Sequence, residues 1–353
     1  MAEILGLTVS DFPFLRMKPR FMPWVLQANL GSGWRTRPHL RDPSNWPEPM
    51  RREWGSDQDQ GFTAGKAAQQ RQIEQFRLVR KELEHFGPDL IVVLYRDSAE
   101  TFAGAERPQF WISAHEQVRA QLYNLWGFFR ANYFEEDPDR FDVLPGHRPA
   151  ALHLARDLEH AGISTRLVDE PLHPNGLGHN ALATAVHLDF DQRKFATPIV
   201  PLGIDPFRFD RQRNNEGLSA WDRNNPNAPL TPAEAFRLGR QIASSLRQSP
   251  WRAAIVAGVD WSHANDSAWE LERIHPDVEA DRARFEQWRS GRFDNWGEIW
   301  TFEEMEQHAQ WELLVTIVMA GAMTELGAKV RHADFCPTWV CNDNFVTTIF
   351  EVR

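Results

Sequence analysis

Two periods of apolar residues run along this chain. Residues 4–9, 90–95, 163–168, 196–204, 252–259 and 346–352 are short, largely apolar runs of the length and composition of buried strands. Between them, apolar positions recur every three or four residues among charges. Ala67, Ala68, Ile73, Phe76, Val79, Leu83 and Phe86 mark an amphipathic helix over 64–86, and further helices are expected over 149–161, 231–246, 277–289 and 302–326. The stretch 115–134 reads as a strongly aromatic helix, with Leu122, Leu125, Trp126, Phe128 and Phe129 on its stripe. Gly87-Pro88-Asp89 stops the first helix, and Thr231-Pro232-Ala233-Glu234 carries the Thr cap, early Pro and Glu of a capping box. Strands alternating with helices predict an α/β fold, with a largely parallel central sheet flanked by helices in a single large domain over 1–353.

Two stretches interrupt this pattern. Residues 31–63 are rich in Gly, Pro, Trp and charge, including Pro38-His39 and Trp46-Pro47-Glu48-Pro49, and read as a long ordered loop. Loops of that length often cover a cleft, which makes His39 and Trp46 candidate pocket residues. An Asn-rich polar run over 211–229 reads as a surface excursion, within an insertion of about 206–230. The chain has no internal repeats.

Composition narrows the function classes. The 353 residues are 42% hydrophobic and 25% charged, as in a soluble globular protein. No apolar run reaches the roughly 18 to 20 residues of a membrane span, and the first residues lack the basic start of a signal peptide. A cytoplasmic location is therefore expected, with no membrane partner. A net charge of -10 argues against a nucleic-acid surface, which needs Lys/Arg patches. A small-molecule ligand is the better expectation. Cys336 and Cys341 form one C-x4-C pair, a weak zinc signal, and are expected as free buried thiols.

Candidate chemistry gathers where strands end. Asp11 follows the run 4–9, where Pro13 forbids the strand from continuing; Asp97 and Ser98 follow 90–95; His263 follows 252–259. In open α/β sheets, ligands bind at that edge, although Asp11 is also suited to capping a helix. His179 sits in Pro174-Asn-Gly-Leu-Gly-His, where a glycine-rich turn meets an Ala/Leu/Val run. Such a His is either a proton shuttle on a rigid base or a structural His at a helix start. Glu312 is the only charged residue between Trp311 and Thr324. A carboxylate in so apolar a segment needs a partner or a role.

Taken in order, these segments resemble the class III extradiol ring-cleavage dioxygenases, the superfamily of the protocatechuate 4,5-dioxygenase β chain, over nearly the whole length. Ile4-Leu-Gly-Leu-Thr-Val-Ser-Asp-Phe-Pro13 looks like the family's first strand, which ends in Ser/Thr-His-aromatic-Pro. Pro88 through Ser98, continued by Ala-Glu-Thr-Phe102, looks like the strand that ends in Asn-Asp-His or Asp-Asp-Gln. Gly178-His179-Asn180 looks like the segment of the catalytic His, Trp261-Ser262-His263 like the family's Ser-His turn, and Trp311-Glu312 through Met323 like the helix of the carboxylate iron ligand.

The resemblance implies an oxygenase acting on a dihydroxylated aromatic or related small ring, with O2 as co-substrate and a facial triad of two His and one Glu on Fe(II). Here Asp11 and Ser98 stand at the two His positions, and only Glu312 keeps its identity. Two hypotheses follow. In one, the site is rebuilt around the metal candidates Asp11 and Glu312, favouring Fe(II) or Mn(II) over zinc, with His179, His263 and Asp97 as catalytic candidates and Ser98, His39 and Trp46 lining the pocket. In the other, the chain is a metal-free homologue that has lost ring cleavage: a partner subunit, a binding protein or a metal-independent enzyme. A homo-oligomer, or a hetero-oligomer with a related subunit, is compatible with either.

Overall fold

The computed structural model describes residues 2–32, 36–98, 100–102, 107–121, 134, 136, 137, 139–194, 196–206, 229–264 and 273–352. The strands are β1 (Ile4–Val9), β2 (Leu90–Arg96), β3 (Phe110–Ser113), β4 (Gln117–Ala120), β5 (Asp142–Pro145), β6 (Arg166–Val168), β7 (Ile199–Ile204), β8 (Ala253–Gly258), β9 (Asp260–His263), β10 (Lys329–Cys336) and β11 (Asp343–Glu351). Nine of them make one mixed sheet in the order β10-β11-β1-β8-β2-β7-β3-β6, with β9 pairing β11; β4 and β5 form a separate ribbon. The middle run, β1-β8-β2-β7, is parallel, and the antiparallel pairings lie outside it at β1/β11, β10/β11, β9/β11 and β3/β7. The fold is α/β, one domain with helices on both faces of the sheet.

The ten α-helices are α1 (Trp24–Ser32), α2 (Glu48–Trp54), α3 (Phe62–Phe86), α4 (Arg148–His160), α5 (His179–Leu188), α6 (Pro232–Gln248), α7 (Val278–Arg289), α8 (Trp296–Ile299), α9 (Phe302–Gln307) and α10 (Leu313–Glu325) among the described residues. The pleat of β2 sorts the core. Leu90, Val92 and Leu94 pack with α4, α6, α7 and α10, while Ile91, Val93 and Tyr95 pack with α3 and α5 on the other side. α5 and the Leu313–Met323 part of α10 are buried on every side, so their apolar sequences need no polar face. α10 also crosses α6 at backbone contact: a Cβ on Gly239 would lie 1.8 Å from the Val318 carbonyl oxygen, and one on Gly321 would lie 2.0 Å from that of Phe236. Among the described residues no helix is long and apolar enough to cross a membrane.

Several sequence expectations need correction. The stretch 31–63 is not a continuous loop, because prolines at helix starts set up 3-10 turns at Pro38–Arg41 and Pro43–Asn45 and then α2. Residues 117–120 are a strand rather than the start of a helix, and the aromatic stripe of 122–133 lies outside the described residues. The expected helix 302–326 is broken between α9 and α10. There Ala309 adopts a φ of 52°, and its carbonyl accepts the His263 N–H at 3.0 Å, so tertiary bonds pull the chain out of the helix. The insertion at 206–230 lies almost wholly outside the described residues. The Thr231–Glu234 capping box is present as expected.

Candidate active site

The parallel strands all end at one edge, and their polar continuations meet there. Ser10 and Asp11 follow β1, Arg96 and Asp97 close β2, Asp205 follows β7 and Asp260 follows β8. Glu312 reaches the edge from the N-cap position of α10, where the helix dipole favours a carboxylate. Asp343 opens β11, and His263 ends β9.

A buried charge cluster results. Arg96 Nε lies 2.6 Å from Glu312 Oε1, His263 Nε2 lies 3.1 Å from the same oxygen, and the Asp260 backbone N–H donates to Glu312 Oε2 at 2.6 Å. His263 Nδ1 pairs with Asp343 Oδ1, which also accepts Asn342 Nδ2 at 2.7 Å. Ser10 Oγ donates to Asp260 Oδ2 at 2.7 Å, and Asn180 Nδ2 donates to Asp11 Oδ2 at 2.6 Å. Burial and the nearby Glu312 push the Asp11 carboxyl well above its ordinary range; burial, Asp343, Asp11 and Glu312 do the same to Asp260. Burial opposes the charge on Glu312, but Arg96 and His263 outweigh it and hold that carboxyl low. Burial also opposes a charged His263, yet Asp343 and Glu312, on either side of the ring, raise it well above the usual histidine range.

A second cluster adjoins the first. The His179 Nδ1–H donates to Glu100 Oε1 at 2.5 Å, and the His179 backbone N–H donates to Glu100 Oε2 at 2.9 Å. A carboxylate only accepts, so the ring nitrogen that faces Glu100, Nδ1, is the one that carries a proton. His173 Nε2 lies 3.7 Å from Glu100 Oε2. Burial opposes ionisation of Glu100, but His179 and then His173 bring it down to about 2. Asp97 in turn accepts the backbone N–H groups of Glu100 and Thr101, each at 3.2 Å, and shapes the turn that carries Glu100. Burial, Asp205 and Glu100 push Asp97 up to about 7. Gly178 allows this packing, since a Cβ there would lie 3.3 Å from Asp97 Oδ1 and 3.4 Å from Glu100 Oε2.

α5 joins the two clusters: His179 is its first residue and Asn180, the next, holds Asp11. Its close approach to the sheet depends on Gly258, where a Cβ would lie 1.9 Å from Thr184 Oγ1. His187 near the other end is a core residue. It stacks on Phe76 at 4.3 Å, bonds to the Ser10 carbonyl oxygen at 2.7 Å, and is brought down to about 4 by burial.

Of the residues expected from sequence, Asp11, His263 and Glu312 share the first cluster, and Asp97 and His179 the second. Ser98 is buried between strand and turn, and its Oγ has no hydrogen-bond partner among the described residues. Trp46 is buried in the core that also holds β1 and α5, edge-on to Trp54, with its indole N–H donating to the Leu40 carbonyl at 2.6 Å. The His39 side chain is exposed. Cys336 and Cys341 are free and buried, and burial pushes the Cys336 thiol up to about 12.

Sequence reasoning missed Arg96, Glu100, Asp260 and Asp343. Arg96 and Asp260 had a signal: each is a charged residue at the end of an apolar run, Arg96 one place before Asp97 and Asp260 three places before His263. Among the described residues no group of three or more His, Cys, Asp or Glu is arranged to hold a metal ion. No protein-family model matches the chain, and no curated protein matches it either.

Proposed function

We propose that this chain is a metal-independent enzyme that moves a proton on a small hydroxylated ring compound, built on a scaffold of the extradiol dioxygenase type. The observation that carries the reading is the Glu100–His179 pair: a histidine at the start of a buried helix, with one nitrogen tied to an ionised carboxylate at 2.5 Å. This is the arrangement of a base whose orientation is set by an acid. His179 Nε2 takes a proton from the substrate and returns it, and the Ser98 Oγ supplies a hydrogen bond to a ring hydroxyl. The reaction balances without an oxidant, because the substrate gives one proton to His179 Nε2 and takes one back at the same or another atom after that nitrogen has exchanged with solvent.

The residues present do not fit the Fe(II) that the resemblance implies, nor the Mn(II) that a carboxylate-rich site would also favour. Glu312 Oε1 is engaged by Arg96 and His263 and Oε2 by a backbone N–H, while Asp11 Oδ2 accepts from Asn180. Incubating the protein with dihydroxylated aromatics and their keto tautomers in D2O, and following the substrates by NMR, tests the reading. Enzyme-dependent deuterium incorporation that His179→Gln lowers by about 100-fold or more is expected. Equal incorporation by wild type and variant, or none by either, overturns it.

A further inference from the structure

Glu100 serves two histidines. Its carboxylate holds the ring and the backbone N–H of His179, and His173 Nε2 lies 3.7 Å from the Oε2 of the same group. The tautomer of His173 is fixed by its own loop. The Asn175 backbone N–H donates to His173 Nδ1 at 3.1 Å, and an N–H donates only to a ring nitrogen that carries no proton. The His173 ring is therefore neutral in this arrangement, with its one N–H at Nε2, the atom nearest Glu100. Both histidines turn a protonated nitrogen to one carboxylate.

A short loop ties His173 to His179. Residues 173–176 form a tight turn in which the Gly176 N–H donates to the His173 carbonyl at 2.9 Å, with Pro174 at the second position. The turn is pressed against the end of β4. The Gln121 N–H donates to the Asn175 carbonyl at 3.1 Å, and a Cβ on Gly176, whose φ is 90°, would lie 2.6 Å from the Arg119 carbonyl oxygen. Gly178, two residues on, is the N-cap of α5, and His179 opens the helix. Pro171, Leu172 and Pro174 are exposed and residues 175–180 are buried, so His173, which is half-buried, stands where the loop passes from water into the site.

We propose that His173 is a positioning residue for the Glu100–His179 pair, and the point at which solvent protons act on that pair. In the neutral ring, Nε2–H backs Glu100 and Nδ1 closes the turn that leads to α5. A second proton makes Nδ1 a donor facing the Asn175 N–H, so the bond that closes the turn is lost. The positive ring then competes with His179 for the same carboxylate. Glu100 and His179 are the charged groups that bear on His173, Asp97 bears on Glu100, and Asp205 bears on Asp97; Arg119 of β4 lays its guanidinium over Phe141 instead. Burial holds His173 below the usual histidine range, against the pull of Glu100. The proposal rests on the proton-transfer reading in taking His179 as the base, but its first measurement needs no substrate, so the two can fail separately.

The test is a pair of full-length variants that each keep one half of the ring. His173→Asn keeps an oxygen that accepts the Asn175 N–H, as in an Asx turn, but stops short of Glu100. His173→Gln reaches Glu100 with an amide N–H and leaves the turn unclosed. Neither side chain takes up a proton. Above neutral pH and without ligand, the downfield Nδ1–H resonance of His179 should hold its wild-type position in His173→Gln and move upfield in His173→Asn. In D2O, kcat for exchange should fall by about 2 to 10-fold in His173→Asn, the effect of one ordinary hydrogen bond, with KM little changed. The acid limb of the pH profile should involve one proton fewer in both variants than in wild type, since Asp97 titrates in all three proteins and drops out of the comparison. If His173→Asn matches wild type in resonance and pH profile and only His173→Gln departs, the residue does no more than close the turn and the proposal is overturned. Should His173→Gln fail to fold, His173→Asn decides by the same two readouts. A wild type that exchanges no substrate removes the proton-transfer reading and leaves this proposal to the resonance; exchange by wild type with an unmoved resonance in His173→Asn does the reverse.

Discussion

Arg96 and Asp97 are consecutive residues at the end of β2, yet each organises a different cluster. Arg96 continues the series of Leu90, Val92 and Leu94 toward the α10 face and meets Glu312; Asp97 continues the series of Ile91, Val93 and Tyr95 and anchors the turn that presents Glu100 to His179. One strand end thus sets a fixed cation on one side and a histidine-orienting carboxylate on the other. The period-two pleat accounts for the division.

Glu312 is the common partner of Arg96 and His263, so neutralising it should be felt by both. Glu312→Gln leaves two buried cations short of a counter-charge, and breaking a buried pair from one side typically costs about 3 to 5 kcal/mol. Urea unfolding should show the free energy lowered by that amount, read as a midpoint that falls by the same amount divided by an unchanged m. A change within about 0.5 kcal/mol would mean that the cluster is solvated and the pairing adds little.

Asp97 should leave a signature in the pH dependence of stability. Its folded-state value is raised to about 7 from an ordinary 3.8, so between those values the native state binds a proton that the unfolded state has released. The contribution is fully present below the ordinary value and is lost as pH rises through about 7, with a slope of up to about 1.4 kcal/mol per pH unit. Asp97→Asn removes this term, so the stability of the variant relative to wild type should rise across that window and level off above it. Parallel curves for the two proteins from pH 4 to 8 would contradict the assignment.

The α6–α10 crossing offers a packing test remote from the chemistry. Gly321→Ala puts a methyl group 2.0 Å from the Phe236 carbonyl oxygen, where only a backbone shift relieves the clash. Overpacking of this kind costs about 1 to 3 kcal/mol. Thermal unfolding should register it, while the D2O exchange assay on the folded fraction stays near the wild-type rate.

Most of the fold was legible because apolar runs and turn residues are local signals. β1, β2, β7, β8 and the capped start of α6 all follow from a few adjacent residues. β10 was not, since Lys329, Arg331, His332 and Asp334 make it look like a polar connection; its strand character comes from pairing with β11 and from ion pairs such as Arg71–Asp334 at 2.6 Å. The site was legible to the extent that its residues end strands. Asp11, Asp97 and His263 could be found that way, and Asp260 carries the same signal, but Glu100 and Asp343 sit among ordinary polar residues, and only the fold brings them in. The break before α10 was hidden for the same reason: Gln310 is drawn onto Asp281 Oδ1 at 2.5 Å across the fold, which helical spacing does not report.

The Glu100–His179 pair allows a positioning role to be separated from a catalytic one. Glu100 contacts the imidazole and the backbone of His179, so in the proton-transfer reading it acts through that ring. Glu100→Gln keeps an oxygen that can accept the Nδ1–H but removes the charge that stabilises the imidazolium formed when Nε2 takes a proton. Exchange in D2O should fall by about 10 to 100-fold in kcat, no more than the low end of what general acid–base catalysis contributes, with little change in KM. His179→Gln should fall further, and the double variant should be no worse than His179→Gln alone, because Glu100 has nothing to orient once the ring is gone. A proton resonance far downfield, from Nδ1–H against the carboxylate, should be present in wild type and shifted upfield in Glu100→Gln, whether or not a substrate has been found. If Glu100 only braces the loop, Glu100→Gln should lower the melting temperature and leave kcat of the folded fraction unchanged. Losses in the double variant equal to the product of the two single losses would show that the residues act independently, and the pair would then be a structural contact.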